Sequence, residues 1–512
     1  MGTDIMCALG SVYLYWALDR SFVIVRFSSV SHAVTRVLEM VDRISKLIST
    51  SKCCSLALIP MIACSFSQAG GIDVDHRRAI ASHLRSQQAE SSLGSDRAYQ
   101  PASQPRAQSG WFVERGDNSS LRISVLAQTR YMFSERDAGF IAPGSEKTYG
   151  FSQPRTRIAF DGTIVSSQFS YRLTMDFGDA ELSRGRGLGP SIAGSTGTAR
   201  LQDAYAQYNF AGKREGYYLK FGQFQNILLT EESIESEYQL AIDRTLASEI
   251  FGPGYTQGVA LGHISDTFAW EANISDGGRY IGSREADNTA FNSVDESDLA
   301  IGFRGDIKLR GSWDQFQDFT SFQGSSPATK IGFGALYQFH GQTNPGSQAP
   351  GFVGTPIDSA QIITWTLDYQ HEGDGWNFFV GYFGQYIDWE FALATAGLMN
   401  NAIVVQGGWF LTEQSEIFAR LETFWLDKLF RNGFTTPNGY IHRIGTVGWN
   451  YYFLPESHAA KFSADASYAF DSLFALTVGG GDSIGLPDPG VTGFQGLTEH
   501  EYVLRVQLQF MF

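Results

Sequence analysis

Charge is scarce in this 512-residue chain, at 18% of residues, and what there is leans acidic: 38 Lys and Arg against 53 Asp and Glu, a net −15. That balance excludes a nucleic-acid binder, which needs a basic surface to meet phosphates. Cysteine is confined to Cys7, Cys53, Cys54 and Cys64, so nothing beyond residue 64 can form a disulfide or a thiolate metal site. The nine histidines fall at no close metal-ligand spacing, and no glycine loop ends in the Lys-Ser or Lys-Thr that cradles phosphate. No cofactor or metal is expected. Long apolar runs are also missing, and the mean hydropathy of −0.15 is too low for a bundle of membrane helices. In their place stand aromatics at 14%, with 39 Phe and 22 Tyr, and 55 Gly, a composition suited to alternating strands and turns. A body without cysteine also suits export through an oxidising compartment.

The first hundred residues read as targeting and spacer. Residues 40–69 have the layout of a secretory signal: Arg43, Lys46 and Lys52, then the apolar CCSLALIPMIAC of 53–64, then Ser67-Gln68-Ala69 as a small-residue cleavage site before Gly70. Met61-Ile62-Ala63-Cys64 loosely matches a lipoprotein box, but Met61 stands where Leu is expected. Residues 1–39, interrupted by Asp19 and Arg20, are read as an over-long start, with Met40 as initiator. Residues 70–110 are polar, with Tyr99 the one aromatic, and read as a periplasmic linker with a short helix before Pro101 and Pro105.

The rest, 111–512, carries a period of two. Its clearest case is the end, EYVLRVQLQFMF. Tyr502, Leu504, Val506, Leu508, Phe510 and Phe512 share one side of a strand, while Arg505, Gln507 and Gln509 share the other. Similar segments lie near 121–133, 155–161, 169–177, 203–210, 217–224, 257–264, 268–274, 299–309, 330–340, 361–371, 376–386, 402–411, 416–425, 441–453 and 461–470. That predicts about sixteen strands. The joins alternate in length: 165–167, 372–375 and 412–415 are tight, whereas 178–200, 341–359 and 427–439 are long. Short turns at one end and long loops at the other are expected of an outer-membrane barrel. The join 311–329 breaks the rule, being long on the short side. A sheet facing hydrocarbon must close on itself, since an open edge would leave backbone groups unpaired in lipid. The expected fold is therefore all-β, a transmembrane antiparallel barrel of about 16 strands. Tyr131 and Phe133, Tyr208 and Phe210, and Trp449 and Tyr451 suit aromatic girdles at the interfaces.

Three stretches resemble the porin O and P family of phosphate-selective outer-membrane porins: LQDAY at 201–205 before LKFGQF at 219–224, TVGWNYYF at 446–453 before HAAK at 458–461, and RVQLQ at 505–509 with the terminal Phe512. The resemblance covers roughly 121–512. It implies a sixteen-stranded trimeric channel in the cell outer membrane of a Gram-negative-type envelope, inserted by machinery that reads the Phe512 strand.

With the apolar sides toward lipid, the interleaved residues face the pore. The basic set is Arg122, Arg130, Arg155, Arg157, Arg172, Lys220, Arg304, Lys308, Lys330, Arg420, Lys461 and Arg505. The acidic set is Asp161, Asp176, Asp203, Glu271, Asp306, Asp368, Glu422 and Asp465. The basic lead implies a mild anion preference, phosphate included, if the charges stay free. Pairing across strands to stiffen the wall is the equally weighted alternative. Residues 226–254, with Glu231, Glu232, Glu235, Glu237, Asp243 and Arg244, form either a loop folded into the channel or a mobile acidic surface loop. A second acidic loop, 282–298, holds Asp295, Glu296 and Asp298 and reads as solvated surface.

Enzyme signatures are weak. Gly481-Asp482-Ser483-Ile484-Gly485 has G-x-S-x-G spacing, but Pro487 and Pro489 forbid the helix that a nucleophile elbow requires. His371-Glu372 opens like a zinc-protease helix and lacks the second His. The reading is thus a non-enzymatic porin that passes small hydrophilic solutes or ions passively. The alternatives are a barrel enzyme acting on lipid, with His263 or His340 as candidates, and a structural barrel that anchors the envelope.

Overall fold

In a computed structural model of the chain, residues 111–115, 119–136, 147–178, 200–212, 215–278, 297, 299–340, 359–391, 394–427, 441–473, 492–494 and 500–512 are described. The signal, the linker, all four cysteines, the G-x-S-x-G stretch and Asp295, Glu296 and Asp298 lie outside them.

The alternating segments form β2 Ser120–Arg136, β3 Lys147–Ile164, β4 Ser166–Asp176, β5 Arg200–Asn209, β6 Gly216–Gln225, β7 Tyr255–Ile264, β8 Phe268–Ser275 and β9 Leu299–Arg310. They continue as β10 Ala328–His340, β11 Ser359–Gly373, β12 Trp376–Phe391, β13 Ala394–Thr412, β14 Ser415–Trp425, β15 Ile441–Tyr452, β16 Ala460–Ala469 and β17 Glu501–Met511. Each pairs antiparallel with the next, and β17 pairs back onto β2, with Val506 opposite Tyr131. The sheet is closed, so β2 to β17 make a sixteen-stranded barrel. A further strand, β1 Trp111–Arg115, pairs with the first residues of β2. It lies on the edge of β2 that β17 leaves free once Phe512 has bonded to Val125.

The period of two decides which side chains face out. On β17, Val506 is 40% exposed whereas Arg505 is 3% exposed. Outward rows elsewhere are bare and apolar, including Leu219, Phe221, Leu261, Ile301, Phe303 and Leu421. No second layer covers them among the described residues, and a bare apolar belt around a closed barrel is what lipid requires. Aromatics cluster near strand ends: Tyr131 meets Phe151 at 4.9 Å at the long-loop rim, and Trp449, Tyr451 and Phe453 run along the short-turn rim. Pro154, inside β3, sits where the β2–β3 register slips, a bulge that tolerates its missing N–H.

Three strands are markedly longer than their sequence rhythm suggested: β3 runs from Lys147 to Ile164 where only 155–161 alternated clearly, and β12 and β13 extend as well. β12 runs on to Phe391 and β13 starts at Ala394, so that hairpin is paired almost to its tip. The tight joins sit at one end, after β3, β11 and β13, and the chain's last residue lies at that end too. The exception expected at 311–329 is real: Gly311 leaves β9 in a left-handed conformation, φ +90°, and the segment turns back into the barrel.

Candidate functional site

The loop between β6 and β7, residues 226–254, lies inside the barrel. It carries a one-turn helix α1 Thr230–Ser233, a 3-10 turn Ser236–Tyr238 and a second short helix α2 Leu246–Phe251. Thr245 starts α2 in the ordinary way, its hydroxyl accepting from Ser248 N at 2.9 Å. Leu228, Leu229, Ile234, Leu240, Ala247 and Phe251 are fully or nearly fully buried. They pack on Leu336, Phe379, Phe383, Val404, Phe418 and Phe424, which point inward from β10 and β12–β14. Two inner-wall glycines allow the approach: a Cβ on Gly334 would lie 3.1 Å from Leu228 and one on Gly408 would lie 2.9 Å from Leu240.

Polar contacts fix the same loop around the barrel wall. Asp243 accepts from Arg155 at 2.7 Å and Arg130 at 3.0 Å, all three buried. Those two guanidiniums hold its carboxyl far below the usual carboxylate range against the cost of burial. Arg420 donates to Asp243 O at 2.8 Å, Asn450 to Leu240 O at 2.8 Å, and Lys461 to Glu237 O at 3.0 Å. Arg304 reaches Leu228 O at 2.7 Å, and Thr230 donates to Asp368 at 2.8 Å. Of the two expectations for this loop, the inward fold is the one observed.

All twelve basic and eight acidic candidates are on strands. Lys308 is the outlier: it sits at the short-turn rim, over Trp313 and bonded to exposed Asp266 at 3.0 Å. The rest are inward, and all but Lys461, which donates to Glu237 O and Gln239 O, are paired with an opposite charge. Arg122 meets Asp161 at 2.7 Å, Arg157 meets Asp176 at 2.7 Å, and Arg172 meets Asp203 at 3.3 Å. Lys220 meets Glu271 at 2.8 Å, and Arg505 grips Asp465 with two bonds of 2.8 Å. Arg304 bridges Asp306 and Asp368 at 2.6 and 3.0 Å, Lys330 lies 3.4 Å from Asp306, and Arg420 lies 3.4 Å from Glu422. Free rings of one sign are therefore not what lines the wall. Cross-strand pairing, the alternative reading, dominates.

An opening lies between the infolded loop and the β2–β4 wall. Arg122, Arg157 and Arg172 line it from the wall, and Glu235, Glu237 and Tyr238 face them from the loop. Arg172 reaches Glu235 at 2.7 Å, while Arg157 stands 3.6 Å from Glu235 and 3.7 Å from Glu237. Burial, together with neighbouring Glu235, pushes the Glu237 carboxyl up. Arg122 spends Nε and Nη2 on Asp161, and its Nη1 has no acceptor among the described residues. The wall side is thus mainly basic, with Asp161 beside Arg122, and the loop side is acidic, which sets a field across the gap.

The chain is a transmembrane β-barrel.

No family model matches it, and no curated protein does. Among solved structures it is similar to the outer membrane channel DcaP of Acinetobacter baumannii, at 10% identity and TM-score 0.49, over 79% of this chain and 100% of that one. It is similar also to an anion-selective porin from Comamonas acidovorans, at 10% identity and TM-score 0.48, over 77% and 100%. A third is OmpT of Vibrio cholerae, at 13% identity and TM-score 0.45, over 78% and 99%. Closed antiparallel barrels with a bare apolar belt and short turns at one end belong to outer membranes.

The resemblance motifs of the sequence serve this architecture. Asp203 of LQDAY pairs with Arg172, Gln223 of LKFGQF donates to Leu201 O at 2.7 Å, and Lys461 of HAAK holds the loop. His263 and His371 belong to the outer rows: His263 lies 4.4 Å from Tyr217, and His371 lies 4.7 Å from Trp376. Sequence reasoning missed Tyr238 and the inward apolar rows of β12–β14. Their signal was present in WNFFVGYFGQYI, where apolar residues occupy both parities, as in a strand buried on both faces.

Proposed function

We propose that the protein is a passive outer-membrane porin whose conducting path is the opening between residues 235–238 and the β2–β4 wall. The observation that carries this is the juxtaposition of Arg122, Arg157 and Arg172 with Glu235 and Glu237 across that gap. Small hydrophilic solutes that carry both signs of charge can align there, while the narrow gap sieves by size. The infolded loop adds Glu231, Glu232, Glu235, Glu237, Asp243 and Glu249 to the interior against one added guanidinium, Arg244. That offsets the basic lead of the strands and supports weak charge selectivity. An anion preference, phosphate included, is the second reading, favoured by the open Nη1 of Arg122.

Several features complete the proposal on the strength of the resemblance: a cleaved signal at 40–69, insertion through the Phe512 strand, a homotrimer and kinship with the porin O and P family. One OmpT structure of Vibrio cholerae is described as a trimer form. Planar-bilayer recording of the purified chain tests the reading. Discrete steps with a small reversal potential in a salt gradient are expected. A barrel inserted in the bilayer without steps would overturn it, and a large anion-directed potential would favour the second reading.

A further inference from the structure

The join between β9 and β10 is long where its neighbours are tight, and its composition is that of a packed element. After Gly311, Ser312 and Gln315 form a capping box around the 3-10 turn Trp313–Gln317. Phe316 within that turn, and Phe319 and Phe322 after it, are each less than 5% exposed. Phe319 stands edge-on to Phe379 of β12 at 5.0 Å. Phe322 lies 5.2 Å from Phe410, 5.0 Å from Tyr452 and 5.7 Å from His458. The backbone is held as well: Gln370 donates to Asp318 O at 2.8 Å, and Gly324 N donates to Asp374 at 2.6 Å. A turn that merely joins two strands at a wet rim has no use for three buried phenylalanines.

The inner end of this segment touches the infolded loop. Phe319 N–H donates to Tyr238 O at 3.2 Å. The Tyr238 ring meets His458 edge-on at 5.0 Å, and His458 Nε2 lies 3.8 Å from Asp318. Tyr238 ends the 3-10 turn that carries Glu237 and follows Glu235. Two chain segments, one from each end of the barrel, therefore meet directly behind the acidic side of the opening.

We propose that residues 311–327 are a positioning segment for that opening. Anchored on β11–β15 and the β15–β16 join, they hold Tyr238, and through it Glu235 and Glu237, against Arg157 and Arg172. Charge selectivity at the opening is thus set partly from the short-turn mouth. The inference rests on the opening being the conducting path. A supporting shell of this kind is what keeps charged groups in register across a narrow gap.

The test replaces 312–326 with Asn-Gly in the full chain and records single channels in a salt gradient. Phe322→Ala serves as a milder variant, and Ser326→Ala as a control on the exposed part of the segment. The expected result for the replacement is a larger conductance together with a reversal potential moved toward anions, as the carboxylates retreat from the arginines. The permeability ratio should change about twofold. Phe322→Ala should move both readouts the same way by less, and Ser326→Ala neither. A larger conductance with an unmoved reversal potential would make the segment mere filling and overturn the proposal, as would no change in either readout. If the replacement fails to insert, Phe322→Ala decides by the same criterion. A wild-type barrel without channel steps would fail the porin reading itself, and this inference with it.

Discussion

The inner wall of the barrel has two halves that differ in degree, one dominated by charge and one richer in apolar side chains. Along β2–β5 the inward positions include Arg122, Gln128, Arg130, Arg155, Arg157, Asp161, Arg172, Asp176 and Asp203, and next to them is the opening. Along β11–β15 Ile362, Phe379, Phe383, Val404, Phe418, Phe424 and Ile444 stand among polar positions such as Gln385, Arg420, Glu422 and Asn450, and the infolded segments cover the apolar ones. The charged half cannot be covered by an apolar loop without stranding guanidiniums, and the apolar half cannot be left to water without losing its burial. The loop therefore turns its apolar side chains toward β10 and β12–β14 and its carboxylates Glu235 and Asp243 toward β2–β4. A barrel that is uniformly polar inside would have no such preference.

The largest effect on this contrast should come from Asp243→Ala. Arg130 and Arg155 share that carboxylate and are essentially unexposed, so its loss leaves two buried charges uncompensated. Breaking a buried pair costs about 3–5 kcal/mol, enough to release the loop from the charged half. The expected outcome is a higher, noisier conductance with the barrel still folded, read as retained strand circular dichroism. Conductance at the wild-type level would mean the apolar half alone holds the loop.

On the other side, Phe251→Ala removes the α2 ring that lies 6.4 Å from Phe383. A loss of about 3–5 kcal/mol is expected for truncating a buried Phe, measured as a lower midpoint of denaturant unfolding. Conductance should rise less than for Asp243→Ala, because the charge anchors remain. The reverse order would shift the weight of the contrast to packing.

The smallest effect is that of pH. Glu231 receives Thr245 N and lies 3.8 Å from Arg420, yet burial pushes its carboxyl up to about 7. A raised folded-state value means the inserted loop favours the protonated form. Its contribution is complete below the ordinary value of 4.5 and is lost as pH rises through about 7. Open-channel noise should therefore grow between pH 4.5 and about 7. Glu231→Gln should flatten that rise, and an unchanged profile in the variant would place the titration elsewhere.

Much of the candidate site was legible residue by residue. Arg122, Arg157 and Arg172 could be placed on the water side from their alternation with Ile123, Ile158 and Leu173, and the acidic loop was visible between β6 and β7. Their salt partners were not, since Arg155 and Asp243 are 88 positions apart and meet only if the loop enters the barrel. The inward phenylalanines of β12 were hidden for a related reason. Alternation tells which residues share a side, and when both sides are apolar it does not say which one lies against lipid.

What the sequence by itself determined is local: the period of two, the strand count, the short and long joins, and the rows that meet lipid on β17 and its neighbours. These need only the pleat of a strand and the impossibility of an open edge in hydrocarbon. The tertiary structure alone decided where the lumen is filled, that the inward strand arginines find carboxylates, and that 311–327 turns back to meet Tyr238. Those outcomes depend on which distant segments come within a few ångströms once the barrel closes, and no period along the chain encodes such distances.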